Sequence, residues 1–368
     1  MPLDFASLVV RWQQQHGRQH LPWQGTRDPY RVWLSEIMLQ QTQVSTVLGY
    51  YERFLQRFPN VQALAAAPAD DVLALWSGLG YYSRARNLHR CAQAVVAEHG
   101  GQFPPSAQAL EQLPGIGRST AAAIAAFCFG ERAAILDANV RRVLTRVLGF
   151  ADDLAQARHE RQLWQHAHAL LPSTDLAHSM ARYTQGLMDV GAQVCLPRQP
   201  LCSQCPVQPL CVAHAQGTPE RYPVKSLRLQ RRAERWWLLL WRNPQGAWWL
   251  QRRPAPGIWA GLHCPPVCDS EAALAEVLAQ LPAPMTAQAQ YLTPFVHVLT
   301  HRDLHLHPVL LSAPDTPVPV GAPQALPGQW ATAAQCAALG LPARADRRAR
   351  ADGRRPAARR GVRRRLRA

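Results

Sequence analysis

The 368-residue chain has no run of about 18 apolar residues, the length that a helix needs to cross a bilayer. Its first residues, MPLDFASLVVRW, also lack the basic segment followed by an apolar segment that marks a secretory signal peptide. These absences predict a cytoplasmic protein with no membrane partner. The composition, 48% hydrophobic and 17% charged, is typical of a folded globular protein, and the length favours two domains over one.

Disulfides are not expected among the nine cysteines, because cytoplasmic thiols stay reduced. Four of them, Cys195, Cys202, Cys205 and Cys211, are spaced C-x6-C-x2-C-x5-C within 17 residues, so their thiolates can converge on one metal centre. A zinc site usually pairs two C-x2-C knuckles, and this segment has one. The spacing therefore favours an iron–sulfur cluster over zinc, and zinc over disulfides. The other five cysteines are scattered and are predicted to be packing residues.

Positive charge is abundant but unevenly placed. Residues 343–368 contain 12 arginines and 2 aspartates and carry +10 of the net charge of +16, so the rest of the chain carries +6. The bulk charge is therefore weak support for nucleic-acid binding. The tail has almost no large apolar residues and is predicted to be disordered. It is either a solvated extension, which we favour, or a non-specific phosphate-binding arm.

The first half of the chain has the apolar spacing of helices, from residue 3 to about residue 190. DPYRVWLSEIMLQ, for example, opens with Asp28 as a helix N-cap and Pro29 at the first helical position. An all-α domain is predicted over residues 1–216, including a cysteine loop at 195–211.

The second half of the chain has a different pattern of apolar and polar residues, and it has no internal repeat. Residues 217–232 are polar and aperiodic and are predicted to be a linker. Beyond them, RWWLLLWR, AWWLQRR and LHLHPVLL are typical of strands and DSEAALAEVLAQL of a helix. A mixed α+β domain is therefore predicted over residues 233–342.

A glycine turn lies within the helical half. In LPGIGRST, residues 113–120, Gly115 and Gly117 can form a tight turn and let the backbone approach a phosphate closely. The helix that follows would direct N–H groups and partial positive charge at that phosphate. Such a turn alone is more often a simple loop. With a helix on each side, it is the arrangement of a helix–hairpin–helix that holds DNA backbone without reading sequence.

These features resemble the endonuclease III superfamily of DNA glycosylases: an all-α domain with this hairpin, an aspartate about 20 residues later (Asp137), and the four-cysteine spacing. LPW, WLSEIMLQQTQV, GLGYYSRARNL and MDVGAQVC are similar, more narrowly, to segments of the MutY-type adenine DNA glycosylases. The resemblance covers residues 5–215 densely and the second domain more loosely. It implies a multidomain fold, in which a helix–hairpin–helix glycosylase domain with a [4Fe-4S] cluster precedes an α+β Nudix-like domain. It also implies a monomer, nucleoid-associated in a bacterium, that binds double-stranded DNA with adenine mispaired with 8-oxoguanine or guanine.

The resemblance assigns roles to two carboxylates. Glu36 lies among apolar residues, which raise the pKa of a carboxyl group and suit it to protonate N7 of a departing adenine. Without the resemblance, an exposed glutamate on an amphipathic helix is the favoured interpretation. Asp137 follows the apolar AAIL and starts a helix, where N–H groups would hold it ionised and able to stabilise an oxocarbenium-like sugar. Asn139 resembles a family residue that orients water or the sugar.

Ser119 occupies the place where the lyase branch of the superfamily has a lysine that forms a Schiff base with the sugar. A serine cannot form that imine, so a monofunctional glycosylase that leaves an abasic site is expected. Gln41 and Tyr81 match the family's wedge and intercalating residues for extruding the base, with a surface glutamine and a packed tyrosine as the alternative. Trp23 is expected either in the adenine pocket or in the core.

Recognition of the opposite base is expected in the second domain. RRPAPGIWAGLHCPPV, residues 252–267, resembles a Nudix core, but no acidic REXXEE run follows it, so the domain should bind without hydrolysing. The family recognises 8-oxoguanine through a loop reading Phe-Ser-His, and the matching residues here are Leu299, Thr300 and His301. Threonine keeps its hydrogen-bonding capacity, whereas leucine loses an aromatic contact.

The predicted function is base-excision repair of adenine opposite 8-oxoguanine or guanine. An endonuclease III-like lyase for oxidised pyrimidines is the alternative enzyme, disfavoured by Ser119 and Glu36. A DNA-scanning module without chemistry is the alternative of another class, disfavoured by the presence of both Glu36 and Asp137.

Overall fold

The structure is a computed structural model that describes residues 4–226, 230–281, 289–312 and 326–342. The arginine-rich tail, for which disorder is predicted, lies outside the described residues. No helix in the described part of the chain has the length and apolarity to span a membrane.

The chain divides into two compact units. The first comprises Met1–Ala67 and Ser83–Gln230, and the second comprises Pro68–Tyr82 and Arg231–Ala368. The second unit starts inside the linker predicted at residues 217–232. It also includes residues 68–82, which lie in the middle of the stretch assigned to the first domain from sequence.

Helices build the first unit, and its described residues contain no strand, which confirms the predicted all-α class. In chain order the α-helices of the described residues are α1 (Phe5–His16), α2 (Pro29–Leu39), α3 (Val44–Arg57), α4 (Val61–Ala66), α5 (Ala69–Trp76), α6 (Ser83–His99), α7 (Ala107–Leu110), α8 (Arg118–Ile124), α9 (Ala138–Leu148), α10 (Ala157–Ala169), α11 (Leu176–Asp189), α12 (Val212–Ala215), α13 (Glu271–Ala279) and α14 (Ala333–Ala338). Of these, α5, α13 and α14 belong to the second unit. Two helices continue into π-helical turns, α8 at Ala125–Phe129 and α11 at Val190–Val194, a feature common near functional sites.

One apolar core of the first unit forms around α1, α8, α9, α10 and α11. Its fully buried members include Val9, Ala123, Leu144, Leu163 and Met180, one from each of these helices. Because α9 is packed along its length in this core, the side chains at its first turn are carried on a rigid support.

A mixed sheet builds the second unit. Its strands are β1 (Arg232–Arg242), β2 (Trp248–Arg252), β3 (His263–Cys264), β4 (Val267–Cys268), β5 (Gln290–Tyr291), β6 (Phe295–Val298), β7 (Arg302–Ser312) and β8 (Gln329–Ala331). β1 and β7 form a parallel pair, in register from Arg232 opposite Arg302 onward. β2 and β4 pair antiparallel with β1, β5 and β6 with β7, and β3 and β8 with β2. The three predicted strands are β1, β2 and β7, and the predicted helix is α13, which confirms the α+β class.

Both faces of the β1–β7 pair are buried. On one face Leu239 and Val309 pack in a cluster with Leu274 of α13. On the other face Trp236 and Leu306 belong to a second apolar cluster. The sheet therefore holds the loops at its strand ends in defined places.

Candidate active site

Glu36 is carried by α2, which begins as predicted. The Asp28 carboxylate accepts a hydrogen bond from the Tyr30 N–H at 2.9 Å, and Pro29 takes the first helical position. Most residues of the helix are buried in the core, but Glu36 keeps partial exposure because it faces a pocket. The helix therefore presents one acid to the pocket from an apolar support.

Asp137 is the N-cap of α9. Its Oδ1 accepts hydrogen bonds from the N–H groups of Asn139 at 2.6 Å and Val140 at 2.9 Å. Directly before it, the Leu136 N–H donates to Ser119 Oγ at 3.0 Å. The start of α8 and the start of α9 are thus tied together beside the carboxylate, which fixes its orientation.

The two carboxylates line one pocket of about 930 Å³ in the first unit. Trp23, Gln41, Ser119 and Asn139 also line it, so residues from distant parts of the sequence meet there. Trp23 is 7% exposed, and its ring meets the Tyr51 ring edge-on with centroids 5.2 Å apart. Trp23 is thus buried and also lines this pocket, and its place in an adenine pocket stays a prediction.

Burial decides the protonation of Glu36. It raises the pKa of the Glu36 carboxyl to about 8, and the negative charge of Asp137 acts in the same direction. Glu36 is therefore mostly protonated at neutral pH, the state in which it can serve as a general acid.

The protonation of Asp137 is not set by the helix start alone. Its two N–H donors, together with Arg142 and Arg141, lower its pKa, but burial acts more strongly and the net pKa lies above the ordinary value. The two carboxyl groups are nevertheless unequal, because the charge of Asp137 is one of the causes that raise the pKa of Glu36.

Two arginines of α9 connect the pocket to the cysteine loop. The Arg142 guanidinium donates to Asn139 Oδ1 at 2.9 Å, to the Gly191 carbonyl at 2.6 Å and to the Cys195 carbonyl at 2.8 Å. One turn later Arg146, 2% exposed, donates to Cys195 Sγ at 3.3 Å and to two further carbonyls of the loop. One helix is thus capped by Asp137 and also contacts the first cysteine.

The four spaced cysteines line one cavity together with Arg146. None of the nine cysteines forms a disulfide, and the five scattered ones are buried, as predicted. Within the described ranges, no three histidine, cysteine, aspartate or glutamate side chains are grouped to hold a single metal ion. A [4Fe-4S] cluster needs four thiolates spread around a cavity, one for each iron. The residues present fit such a cluster.

The turn after α2 places Gln41 at the pocket. Gln41 is exposed and has φ of 57°, a left-handed conformation that costs a residue other than glycine about 1–2 kcal/mol and must be held by its surroundings. Arg84, which is buried, donates to the carbonyls of Ile37 at 2.8 Å and Met38 at 2.9 Å and to Thr42 Oγ1 at 3.1 Å. A single guanidinium thus joins the end of α2 to this turn.

The glycine turn lies between α7 and α8, as a helix–hairpin–helix requires. Gly115 has φ of 79°, and an added Cβ would lie 2.5 Å from Asn87 Cβ, so conformation and space both require glycine. Gly117, the N-cap of α8, is exposed and an added Cβ would meet nothing within 4 Å. The fold itself does not require glycine there, and the backbone is open to a ligand.

The remaining predicted residues lie in the second unit. Tyr81 is 43% exposed, with φ of 49°. Thr300 and His301 form the two-residue loop between β6 and β7, closed by a hydrogen bond from the Leu299 N–H to the Arg302 carbonyl at 2.8 Å. Thr300 Oγ1 donates to the Tyr81 hydroxyl at 3.1 Å, so these two residues meet. Leu299 packs in the apolar cluster on that face of the sheet.

Comparison with known proteins places this geometry in a family. The chain matches the HhH-GPD superfamily base excision DNA repair proteins over residues 34–169 and the NUDIX domain over residues 237–349. An adenine DNA glycosylase of Buchnera aphidicola subsp. Acyrthosiphon pisum is 36% identical over 311 residues, 84% of this chain and 87% of the relative. The chain belongs to the adenine DNA glycosylases.

Other relatives show how the similarity is distributed. The human adenine DNA glycosylase is 45% identical over 218 residues, 57% of this chain and 39% of that protein. The solved structure of a thermostable thymine-DNA glycosylase is 30% identical with a TM-score of 0.51, covering 58% of this chain and 95% of that chain. The adenine DNA glycosylase of Buchnera aphidicola thus matches more of the chain than the thymine-DNA glycosylase structure does. The two family matches confirm the predicted helix–hairpin–helix and Nudix-like domains.

Sequence reasoning missed several residues that position the pocket of this adenine glycosylase, namely Arg84, Arg142, Arg146 and Gly191. Arg142 and Arg146 are four residues apart and lie on one helix face, a signal for a shared partner. Gly191 stands inside the family-like segment MDVGAQVC. Arg84 stands inside the family-like segment GLGYYSRARNL, but its partners left no pattern in the sequence, because two of its three acceptors are backbone carbonyls.

Glu36→Gln should stabilise this adenine glycosylase at mildly alkaline pH. The pKa of Glu36 is raised from 4.5 to about 8, so the folded protein binds this proton more tightly than the unfolded chain. That contribution is present below pH 4.5 and is lost as the pH rises to 8. Glutamine does not titrate, so the gain in free energy of unfolding of the variant over the wild type should grow from near zero at pH 4.5 to at most about 5 kcal/mol at pH 8.5.

Denaturant unfolding at several pH values measures this gain. Glu98→Gln, on the exposed surface of α6, is the matched control and should show a pH-independent difference. Parallel pH profiles for wild type and Glu36→Gln would contradict the protonated state of Glu36.

Gly191→Ala should disturb the start of α9. An added Cβ would lie 2.7 Å from Asn139 Cβ and 3.2 Å from the Asn139 carbonyl atoms, so backbone must shift. We expect a loss of about 1–3 kcal/mol in stability and a slower glycosylase reaction in cluster-loaded protein, read from iron content, unfolding and base release. Gly49→Ala is the matched control: in α3 the new Cβ meets only the Arg53 side chain at 3.8 Å and should stabilise slightly. Equal effects of the two variants would refute close packing at Gly191.

Proposed function

We propose that this protein hydrolyses the N-glycosidic bond of adenine mispaired with 8-oxoguanine or guanine in double-stranded DNA and leaves an abasic site. The observation that carries the proposal is that a protonated Glu36 and an anchored Asp137 face the same pocket. Removing an undamaged purine requires both a proton for the leaving group and a negative charge for the sugar. We propose further that the protein acts as a cytoplasmic monomer at the cell's DNA.

The proposed reaction uses each carboxylate once. Glu36 gives its proton to N7 of the extruded adenine, the bond between C1′ and N9 breaks with its electron pair passing to the base, and adenine departs neutral. The Asp137 carboxylate stabilises the cationic sugar that remains. Water then adds its oxygen to C1′, and the proton that water loses returns to the Glu36 carboxylate. Asn139, held by Arg142, is placed to orient that water or the sugar.

Gln41 and Tyr81 are proposed to fill the gap left by the extruded adenine. Each side chain is exposed, and the backbone of each residue is held in a left-handed conformation by its own unit. Because the backbone is already ordered, binding to DNA does not have to order it. Trp23 is proposed to form one wall for the adenine ring, because it lines the pocket that contains Glu36.

The glycine turn and the cysteine loop are proposed to support DNA binding. Gly115 and Gly117 would bring the backbone at the start of α8 to a DNA phosphate. An iron–sulfur cluster held by Cys195, Cys202, Cys205 and Cys211 would supply a rigid charged centre that orders its loop. Arg142 and Arg146 join that loop to α9 and hence to the start of the helix that Asp137 caps.

The second unit is proposed to recognise the base opposite adenine. It matches a Nudix domain, but the acidic run that a hydrolytic Nudix domain carries does not follow residue 267. We therefore propose that this domain binds the base and does not hydrolyse a substrate. Thr300 and His301, at the tip of the β6–β7 hairpin, are the proposed contacts.

The reaction is tested with a duplex that contains a single adenine opposite 8-oxoguanine, under single-turnover conditions. Wild-type protein should release adenine, and the strand should break only after hot alkali. Glu36→Gln and Asp137→Asn should each slow release by at least about 100-fold while still binding the duplex, and Glu98→Gln should not. Binding without release by the wild type would indicate a scanning module. Release of an oxidised pyrimidine from a second duplex that carries one, without release of adenine from the first, would indicate the alternative enzyme.

Ser119→Lys should convert part of the activity into strand nicking without alkali. The serine already lines the pocket, so an amine at this position can attack C1′ and form an imine that borohydride traps. The variant also loses the hydroxyl that accepts from the Leu136 N–H, so Ser119→Ala is the control for that loss alone. Borohydride trapping of the wild type would contradict the monofunctional assignment.

A further inference from the structure

Arg118, the exposed arginine that follows the glycine turn, is held by an aromatic ring and not by a carboxylate. It opens α8 directly after Gly117, and its guanidinium carbon lies over the face of the Trp164 ring, 4.0 Å from the ring centre. Among the described residues, the guanidinium makes no hydrogen bond and no ion pair. Its N–H donors are therefore available to a ligand.

The distance of 4.0 Å fixes how the guanidinium faces the ring. If one of its nitrogens pointed into the ring, that nitrogen would lie about 1.3 Å closer than the carbon, well inside the contact distance of about 3.5 Å. The guanidinium plane therefore lies along the ring face, in the stacked arrangement that arginine adopts on aromatic rings. The N–H donors of a stacked arginine point outward in that plane, past the edge of the ring.

Trp164 is a rigid platform, because the helix that carries it is anchored in the core. Leu163 precedes it on α10 and Ala167 follows about one turn later, and these two residues are 0% and 3% exposed. Trp164 itself is half-buried and packs against the same core. A ring that is close-packed in this way has little freedom to move, so the arginine stacked on it is restrained in the free protein.

The surroundings of Arg118 indicate a phosphodiester as its ligand. Gly117, directly before it, has an exposed backbone with open space around it. Ser119, directly after it, lines the pocket that contains both carboxylates. Phosphodiesters are the anionic groups of a DNA duplex, and the planar fork of an arginine matches the paired oxygens of a phosphate. A strand whose nucleotide enters this pocket would bring such a group to the arginine.

We propose that Trp164 is a positioning residue for DNA binding, which holds the N–H edge of the Arg118 guanidinium toward a backbone phosphate beside the glycine turn. An arginine side chain that is free in solvent loses rotamer freedom when it binds, whereas this one is already ordered. The inference rests on the proposed function, because it takes DNA as the ligand. It adds a side-chain contact to the backbone contacts proposed for the turn and assigns its geometry to a tryptophan of α10.

The test measures how tightly the full cluster-loaded chain binds a duplex in which an uncleavable 2′-fluoro-deoxyadenosine faces 8-oxoguanine, at several salt concentrations. Arg118→Gln should weaken binding about threefold to tenfold and make the slope of log K against log salt shallower by about 0.9, because one phosphate contact is lost. Trp164→Leu should weaken binding about twofold to fivefold but keep the wild-type slope, since the charge remains and only its orientation is lost.

Combining the two changes tests whether Trp164 acts through Arg118. In the Arg118→Gln background, Trp164→Leu should cause no further loss of affinity, because no guanidinium remains to be oriented. Trp164→Phe keeps a ring face and should bind within about twofold of the wild type. Arg53→Gln is the matched control: Arg53 stacks on Tyr50 at 4.6 Å, on α3 instead of at the glycine turn, and its loss should leave the salt slope unchanged.

Iron content and thermal unfolding check the fold of each variant. Arg118→Gln, at an exposed position, tests the phosphate contact even where a change at Trp164 destabilises α10. A wild-type salt slope in Arg118→Gln overturns the inference. An equal loss from Trp164→Leu with and without the Arg118 guanidinium also overturns it, as does tighter binding by Trp164→Leu, because the ring would then withhold the arginine from DNA.

These outcomes in a protein that still releases adenine reject the inference alone. A wild type that releases no adenine from the cleavable duplex rejects the proposed function, whatever the salt slopes show.

Discussion

Two carboxylates that face one partly desolvated pocket cannot both ionise without opposing each other, and the first unit is organised around this constraint. The conflict is resolved by unequal support. Asp137 has two N–H donors from the turn it caps and two arginines nearby, whereas Glu36 projects from a helix whose other residues are mostly core. Burial raises the pKa of both carboxyl groups. The charge of Asp137 raises the pKa of Glu36 further. Glu36 therefore keeps its proton at neutral pH, beside a second carboxyl group in the same pocket.

This division depends on α9 being rigid. Asp137 caps the N-terminus of this helix, and the apolar side of the helix packs in the core. Its polar side carries Arg142 and Arg146, which donate hydrogen bonds to the cysteine loop. Gly191 lies in the π-helical turn that continues α11 and leads into the cysteine loop. This turn packs so closely against Asn139 that an added Cβ at Gly191 would lie 2.7 Å from Asn139 Cβ. Order in the cysteine loop can therefore influence the pocket through packing alone, because one helix is common to both.

Local signals in the sequence were sufficient for most of the elements. Asp28 followed by Pro29 identified the start of α2, and runs such as RWWLLLWR identified strands, because capping and side-chain alternation depend on near neighbours. The partners of those elements were not predictable in this way. Arg84 meets the end of α2 from more than 40 residues away, and Ser77 meets Leu341 from 264 residues away. The raised pKa of Asp137 has the same origin, since its capping bonds are local while its burial comes from the whole unit.

Because the second unit is discontinuous in sequence, the short stretch from residue 77 to residue 84 has anchors in both units. The chain passes from the second unit to the first between Tyr82 and Ser83, so Tyr82 is anchored to Leu341 while Arg84, two residues later, is anchored to the end of α2. Tyr81 and Gln41, both in left-handed conformations, are held in place by these two anchors and their neighbours. A residue in a strained conformation persists only where its surroundings determine it more strongly than its own preference does. Residues 77–82 meet that condition through the Leu341 carbonyl, to which both Ser77 and Tyr82 donate, which is why a segment within the helical half belongs with the domain that follows it.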